Sequence, residues 1–92
     1  MERPLFVKIC GITSVEDALF AAAMGADAVG LLFAASSRRV TRNQAQEIVR
    51  RLPPEILSVG VFRDERPQTV VEIANTIGLR VVQLHGHESA EE

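Results

Sequence analysis

Tryptophan and tyrosine are absent from this 92-residue sequence, and cysteine occurs once, at Cys10. A single cysteine excludes an internal disulfide, and Met1-Glu2-Arg3-Pro4 shows no leader pattern, so the expected compartment is the cytoplasm. Charge of one sign is lacking too: ten Lys and Arg stand against twelve Asp and Glu, for a net charge of -2. That balance offers no polycationic surface, and no Tyr or Trp is available to stack on bases, so nucleic acid is not an expected partner. A membrane is not expected either. The longest apolar run, 18–35, is broken by Asp27 at its centre, where a carboxylate costs about 2.5–3.5 kcal/mol, and Gly25 divides it into helix and strand. What remains is 47% hydrophobic and 24% charged, an ordinary globular composition long enough for one domain.

Two kinds of apolar segment alternate along the chain. Residues 5–9, 28–33, 56–62 and 79–84 are short runs rich in Val, Ile, Leu and Phe, as expected of strands covered on both faces. Between them, Val15, Ala18, Leu19, Ala22 and Ala23 fall at helical spacing, as do Ala45, Ile48, Val49 and Leu52, and Val70, Ile73, Ala74 and Ile77. Thr13 with Glu16 and Thr41 with Gln44 have the spacing of a capping box, in which side chains satisfy free amides at a helix start. Pro67 suits the first turn of the third helix, with Asp64 and Glu65 helping to start it. Gly25 and Gly78 suit left-handed caps, and Pro53-Pro54 ends the second helix, where Arg50 and Arg51 complement the dipole. Strands alternating with helices of this length predict right-handed crossovers and a parallel sheet. A weak repeat, Gly-x-x-x-Val-x-Leu at Gly25 and Gly78, fits iterated βα units. Ser89-Ala90-Glu91-Glu92 then reads as the cap and first turn of a fourth helix. Four strands and three helices are about half of a TIM-type βα barrel, which needs about 250 residues, so the chain is expected to be a truncated barrel.

Parallel strands covered by helices are almost wholly apolar, so their polar residues carry information. Lys8 and Cys10 share one face of the first strand, and Gln83 and His85 share one face of the fourth. All four lie near the carboxyl ends, where α/β proteins place ligands and catalytic groups. A thiolate beside a cation such as Lys8 serves as base or nucleophile near neutral pH, whereas spacing alone favours a small buried apolar cysteine. His85 with His87 lacks further ligands at a recognisable spacing, so no metal is expected. Arg38 and Arg39 follow the second strand, where one guanidinium can grip a carboxylate or phosphate or both can form a solvated turn.

Val7-Lys8-Ile9-Cys10-Gly11-Ile12-Thr13, Gly25-Ala26-Asp27-Ala28-Val29-Gly30, Ser37-Arg38-Arg39, Gly60-Val61-Phe62 and Gln83-Leu84-His85-Gly86 resemble the phosphoribosylanthranilate isomerases in order and spacing. The resemblance covers the whole chain. It implies an eight-stranded βα barrel of which residues 1–92 are the amino-terminal half of a single domain, a partial barrel of about the first four βα units. It also implies a small phosphosugar substrate and an Amadori rearrangement in tryptophan biosynthesis, with no metal or organic cofactor. The family's cysteine base corresponds to Cys10, and its arginine after the second strand to Arg39, contacting the anthranilate portion. Lys8, Gln83 and His85 complete the candidate substrate-binding set. The family's aspartate acid and phosphate loops belong to the second half of the barrel. Asp17, Asp27 and Asp64 do not match the acid's motif, so the chain alone is expected to be inactive. The alternatives are a non-catalytic half-barrel scaffold self-associating through open sheet edges, and a different phosphosugar barrel enzyme.

Overall fold

The computed structural model describes residues 5–33 and 39–85. Four strands alternate with three helices: β1 (Lys8–Cys10), α1 (Val15–Ala23), β2 (Ala28–Leu32), α2 (Arg42–Arg51), β3 (Leu57–Arg63), α3 (Pro67–Ile77) and β4 (Val81–His85). The strands form one parallel sheet in sequential order, β1-β2-β3-β4. Each crossover therefore advances the sheet by one strand, as iterated βα units require.

Local chemistry sets the helix ends. Thr41 and Gln44 form the expected capping box, with the Thr41 amide donating to Gln44 Oε1 at 2.8 Å and the Gln44 amide to Thr41 Oγ1 at 3.1 Å. The α1 cap falls one residue later than the Thr13 spacing predicts. Ser14 is the N-cap, its hydroxyl accepting the Asp17 amide at 3.1 Å, because two adjacent hydroxyl residues each have an acidic residue three positions on. Gly78 ends α3 at φ 89, and Gly25 follows α1 at φ 100, both left-handed as expected. Asp64 and Glu65 do not cap α3, whose N-cap is Arg66 without a side-chain bond. Asp64 instead takes φ 53, and its amide donates to the His85 carbonyl at 3.1 Å, tying the β3 end to the β4 end. Arg50 and Arg51 occupy the last turn of α2 as expected and also pair with Glu47, at 3.7 and 3.3 Å.

The main core lies between the sheet and the helices. Val29, Leu31 and Phe62 from the sheet pack with Ala18 and Ala21 of α1, Ala45 and Ile48 of α2, and Val70, Ile73 and Ile77 of α3. Phe33 stacks on Phe62 with ring centroids 4.9 Å apart. Burying a side chain of this size contributes about 1.5–3 kcal/mol. The α1 face differs from the periodicity reading, since Ala18 and Ala21 are buried whereas Leu19 and Ala23 are exposed. Three consecutive alanines, 21–23, leave the register of the stripe open, and packing selects the smallest side chains for close approach to the sheet. A second cluster on the opposite sheet face joins Ala28, Val59 and Val61 with Leu32 and Leu57.

Burial on both faces, predicted for all four strands, holds for β2 and β3 only. Ile9 on β1 and Val81, Val82 and Leu84 on β4 are exposed because these are the outer strands of the sheet. β1 is also shorter than the apolar run 5–9. The Val7 amide donates to Asp27 Oδ2 at 2.8 Å and its carbonyl accepts the Asp27 and Ala28 amides, so the ladder begins only at Lys8. β4 starts two residues late because the Leu79 amide still closes the end of α3 on Ala74. The expected cap at Ser89 lies outside the described residues. Among the described residues no helix is long and apolar enough to cross a membrane.

Candidate active site

Strand alternation and register decide which side chains meet. Lys8 pairs in register with Ala28, and Cys10 with Gly30. Gly30 continues to Val59, Val61 pairs with Gln83, and Arg63 with His85. Lys8, Cys10, Arg63, Gln83 and His85 therefore project from one sheet face, opposite the helix-covered one. All five lie at or within two residues of a strand's carboxyl end.

Polar bonds join three of these residues across the sheet. Lys8 Nζ donates to Gln83 Oε1, linking β1 to β4, the two outermost strands. In a flat sheet those strands would stand about 14 Å apart with parallel side chains, so the bond requires the sheet to curl toward this face. Gln83 Nε2 lies 2.9 Å from His85 Nε2. The ammonium proposed as the thiol's companion is thus engaged by Gln83.

Cys10 is exposed in this chain. Directly after it the chain turns, with the Gly11 and Ile12 amides both donating to the Gly30 carbonyl at 3.0 and 3.2 Å and Gly11 at φ 83. Gly30 makes room for the thiol: a Cβ there would stand 2.9 Å from Cys10 Sγ and 3.3 Å from Cys10 Cα. Arg39 is exposed and bridges to Leu32 at the end of β2, while the Val40 amide donates to the Leu32 carbonyl at 2.9 Å. Among the described residues hydrogen bonds join Lys8, Gln83 and His85 but extend to neither Cys10 nor Arg39. Ser37, Arg38, Gly86 and His87 lie outside the described residues.

Two residues of this face escaped the sequence reading. Gly30 had a signal, a glycine inside an otherwise apolar strand, which marks close approach of another group. Arg63 had one as well, since Val59, Val61 and Arg63 alternate in step and make Arg63 the outermost member of the β3 face. A groove of about 370 Å³ lies elsewhere, between α3 and β4, and its mostly apolar lining carries no acid–base constellation. Among the described residues no three His, Cys, Asp or Glu side chains group to hold a metal ion.

The family model for N-(5'-phosphoribosyl)anthranilate isomerase matches residues 7–92, spanning all the residues of this face. The chain belongs to the phosphoribosylanthranilate isomerase family. An isomerase from Desulforudis audaxviator is 54% identical over 85 residues, covering 92% of this chain and 42% of its own length. The phosphoribosylanthranilate isomerase structure from Thermotoga maritima superposes with a TM-score of 0.88 at 46% identity, covering 95% of this chain and 43% of that one. A third relative, solved in complex with reduced 1-(o-carboxyphenylamino)-1-deoxyribulose 5-phosphate, gives the same TM-score and identity and covers 95% of this chain and 45% of that one. These neighbours give the parallel α/β architecture a TIM-type fold. The chain spans less than half the length of each of these relatives.

Proposed function

We propose that residues 1–92 form the first four βα units of a phosphoribosylanthranilate isomerase barrel and carry its general base, Cys10. The observation supporting this most directly is an exposed thiol at the carboxyl end of β1, inside a family-matched motif and on the face shared with Lys8, Gln83 and His85. The substrate is N-(5-phosphoribosyl)anthranilate. Protonation of the sugar ring oxygen breaks its bond to C1 and leaves an iminium, and Cys10 then takes the proton from C2. The released electron pair forms the enamine, which tautomerises to 1-(2-carboxyphenylamino)-1-deoxyribulose 5-phosphate. Each proton transfer is worth about 10²–10⁴-fold. Arg39 holds the anthranilate carboxylate through its fork of donors, and Lys8, Gln83 and His85 bind polar atoms of the sugar. The acid and the phosphate contacts come from the rest of the barrel, so the chain alone is inactive. The reaction is a cytoplasmic step of tryptophan biosynthesis and uses neither metal nor organic cofactor.

The test replaces the corresponding segment of the Thermotoga maritima isomerase with residues 1–92. The completed barrel is expected to turn over N-(5-phosphoribosyl)anthranilate, and the 92-residue chain alone is not. A folded chimera without turnover would reject the proposal. One observation favours a second reading, a non-catalytic half-barrel that pairs with its own copy: Val82 and Leu84 are exposed beside Val70, Val71 and Ala74 in the apolar α3–β4 groove. Sedimentation of the 92-residue chain as a monomer across concentration would remove it.

A further inference from the structure

Gln83 stands between a group that only donates hydrogen bonds and a group that can do either. The Lys8 ammonium has three donors and no acceptor, so the Gln83 atom facing it is the carbonyl oxygen, Oε1. That fixes the orientation of the amide and turns its NH₂ group toward His85. Gln83 Nε2 lies 2.9 Å from His85 Nε2, and an amide nitrogen can only donate. His85 Nε2 must therefore accept, which requires a neutral imidazole with its proton on Nδ1. We infer that Gln83 is a positioning residue: anchored by Lys8, it selects the Nδ1–H tautomer of His85.

Two consequences follow for the site. Nε2 of His85 is occupied as an acceptor and is unavailable as a base, leaving proton abstraction to another group on this face. Nδ1–H of this exposed residue is left to serve as a neutral donor to a ligand oxygen. The use of that donor on a sugar oxygen rests on the isomerase reading, whereas the tautomer is a property of the chain without substrate. Lys8, on the opposite edge strand, thereby acts on His85 through Gln83.

Long-range proton–nitrogen correlation of the imidazole in the uniformly ¹⁵N-labelled 92-residue chain reads the tautomer directly. Spectra are taken at about pH 8, with His87→Gln removing the second histidine's signals. The wild-type chain is expected to show a protonated, pyrrole-type Nδ1 and an unprotonated, pyridine-type Nε2. Gln83→Glu keeps an oxygen for Lys8 but replaces the donor with an acceptor, so the pattern inverts and Nε2 carries the proton. Lys8→Met frees the amide to turn either way, and the two ring-nitrogen shifts move toward each other as the tautomers average. A dispersed backbone amide spectrum verifies folding, and since Glu is nearly isosteric with Gln, a purely structural Gln83 would leave the tautomer unchanged. A protonated Nε2 in the wild-type chain, or an unaltered pattern in Gln83→Glu, would overturn the inference. Failure of the isomerase reading would show separately, as a lack of turnover by the completed barrel with the tautomer pattern intact.

Discussion

Replacing Gly30 by alanine is expected to displace the Cys10 thiol while leaving the fold in place. Gly30 is buried within β2 and pairs in register with Cys10. Its backbone is ordinary strand, so alanine gains about 0.5–1 kcal/mol over glycine from reduced chain entropy. Against that, the new Cβ would meet Cys10 Sγ at 2.9 Å, Cα at 3.3 Å and Cβ at 3.4 Å. The thiol can swing away, but the Cys10 backbone can move only by shifting β1. Overpacking of this kind costs about 1–3 kcal/mol, so the net loss of stability is about 0–2.5 kcal/mol. The larger effect falls on chemistry, because a misplacement of about 1 Å can cost about 10²-fold in rate. Turnover of the completed barrel should fall about 10- to 100-fold. Urea denaturation measures the stability change, and the rate of reaction of the thiol with an aromatic disulfide reagent reports its altered position. If Gly30→Ala left stability, thiol reactivity and turnover all unchanged, the cradle described for Cys10 would be wrong.

Three further substitutions test the elements that carry the face. Gly78→Ala places a Cβ at φ 89 with its nearest neighbour, Val49 Cγ1, at a comfortable 3.9 Å; backbone strain alone should cost about 1–2 kcal/mol in urea denaturation without changing thiol reactivity. Thr41→Ala removes one arm of the capping box at the start of α2 and should cost about 0.5–2 kcal/mol in the same measurement. Phe62→Ala empties the centre of the sheet–helix core, where Phe62 stacks on Phe33, and should cost about 3–5 kcal/mol, seen as loss of a cooperative thermal transition.

Element type and order were legible in the sequence because a two-residue and a 3.6-residue period leave different traces. The capping box at Thr41 and the left-handed glycines at Gly25 and Gly78 were equally plain, since each satisfies a local backbone need. Choices between equivalent neighbours were not. Thr13 and Ser14 both offer a hydroxyl, and three consecutive alanines blur the buried stripe of α1. Exposure of β1 and β4 depends on what stands beside them in the sheet, which hydropathy along the chain does not encode. The candidate site divides in the same way. Alternation alone placed Lys8 with Cys10 and Gln83 with His85, whereas the bond from Lys8 to Gln83 depends on curling of the sheet and joins residues 75 positions apart. Gly30 was overlooked because its significance is the side chain it lacks.

The central claim is that Cys10 removes the C2 proton, and the most direct test is the turnover of Cys10→Ala in the barrel completed with the Thermotoga maritima segment. Loss of a general base predicts a fall of about 10²–10⁴-fold in kcat with the urea midpoint little changed. Turnover within about threefold of the parent chimera, far short of that factor, would contradict the assignment and move the base to another residue of this face.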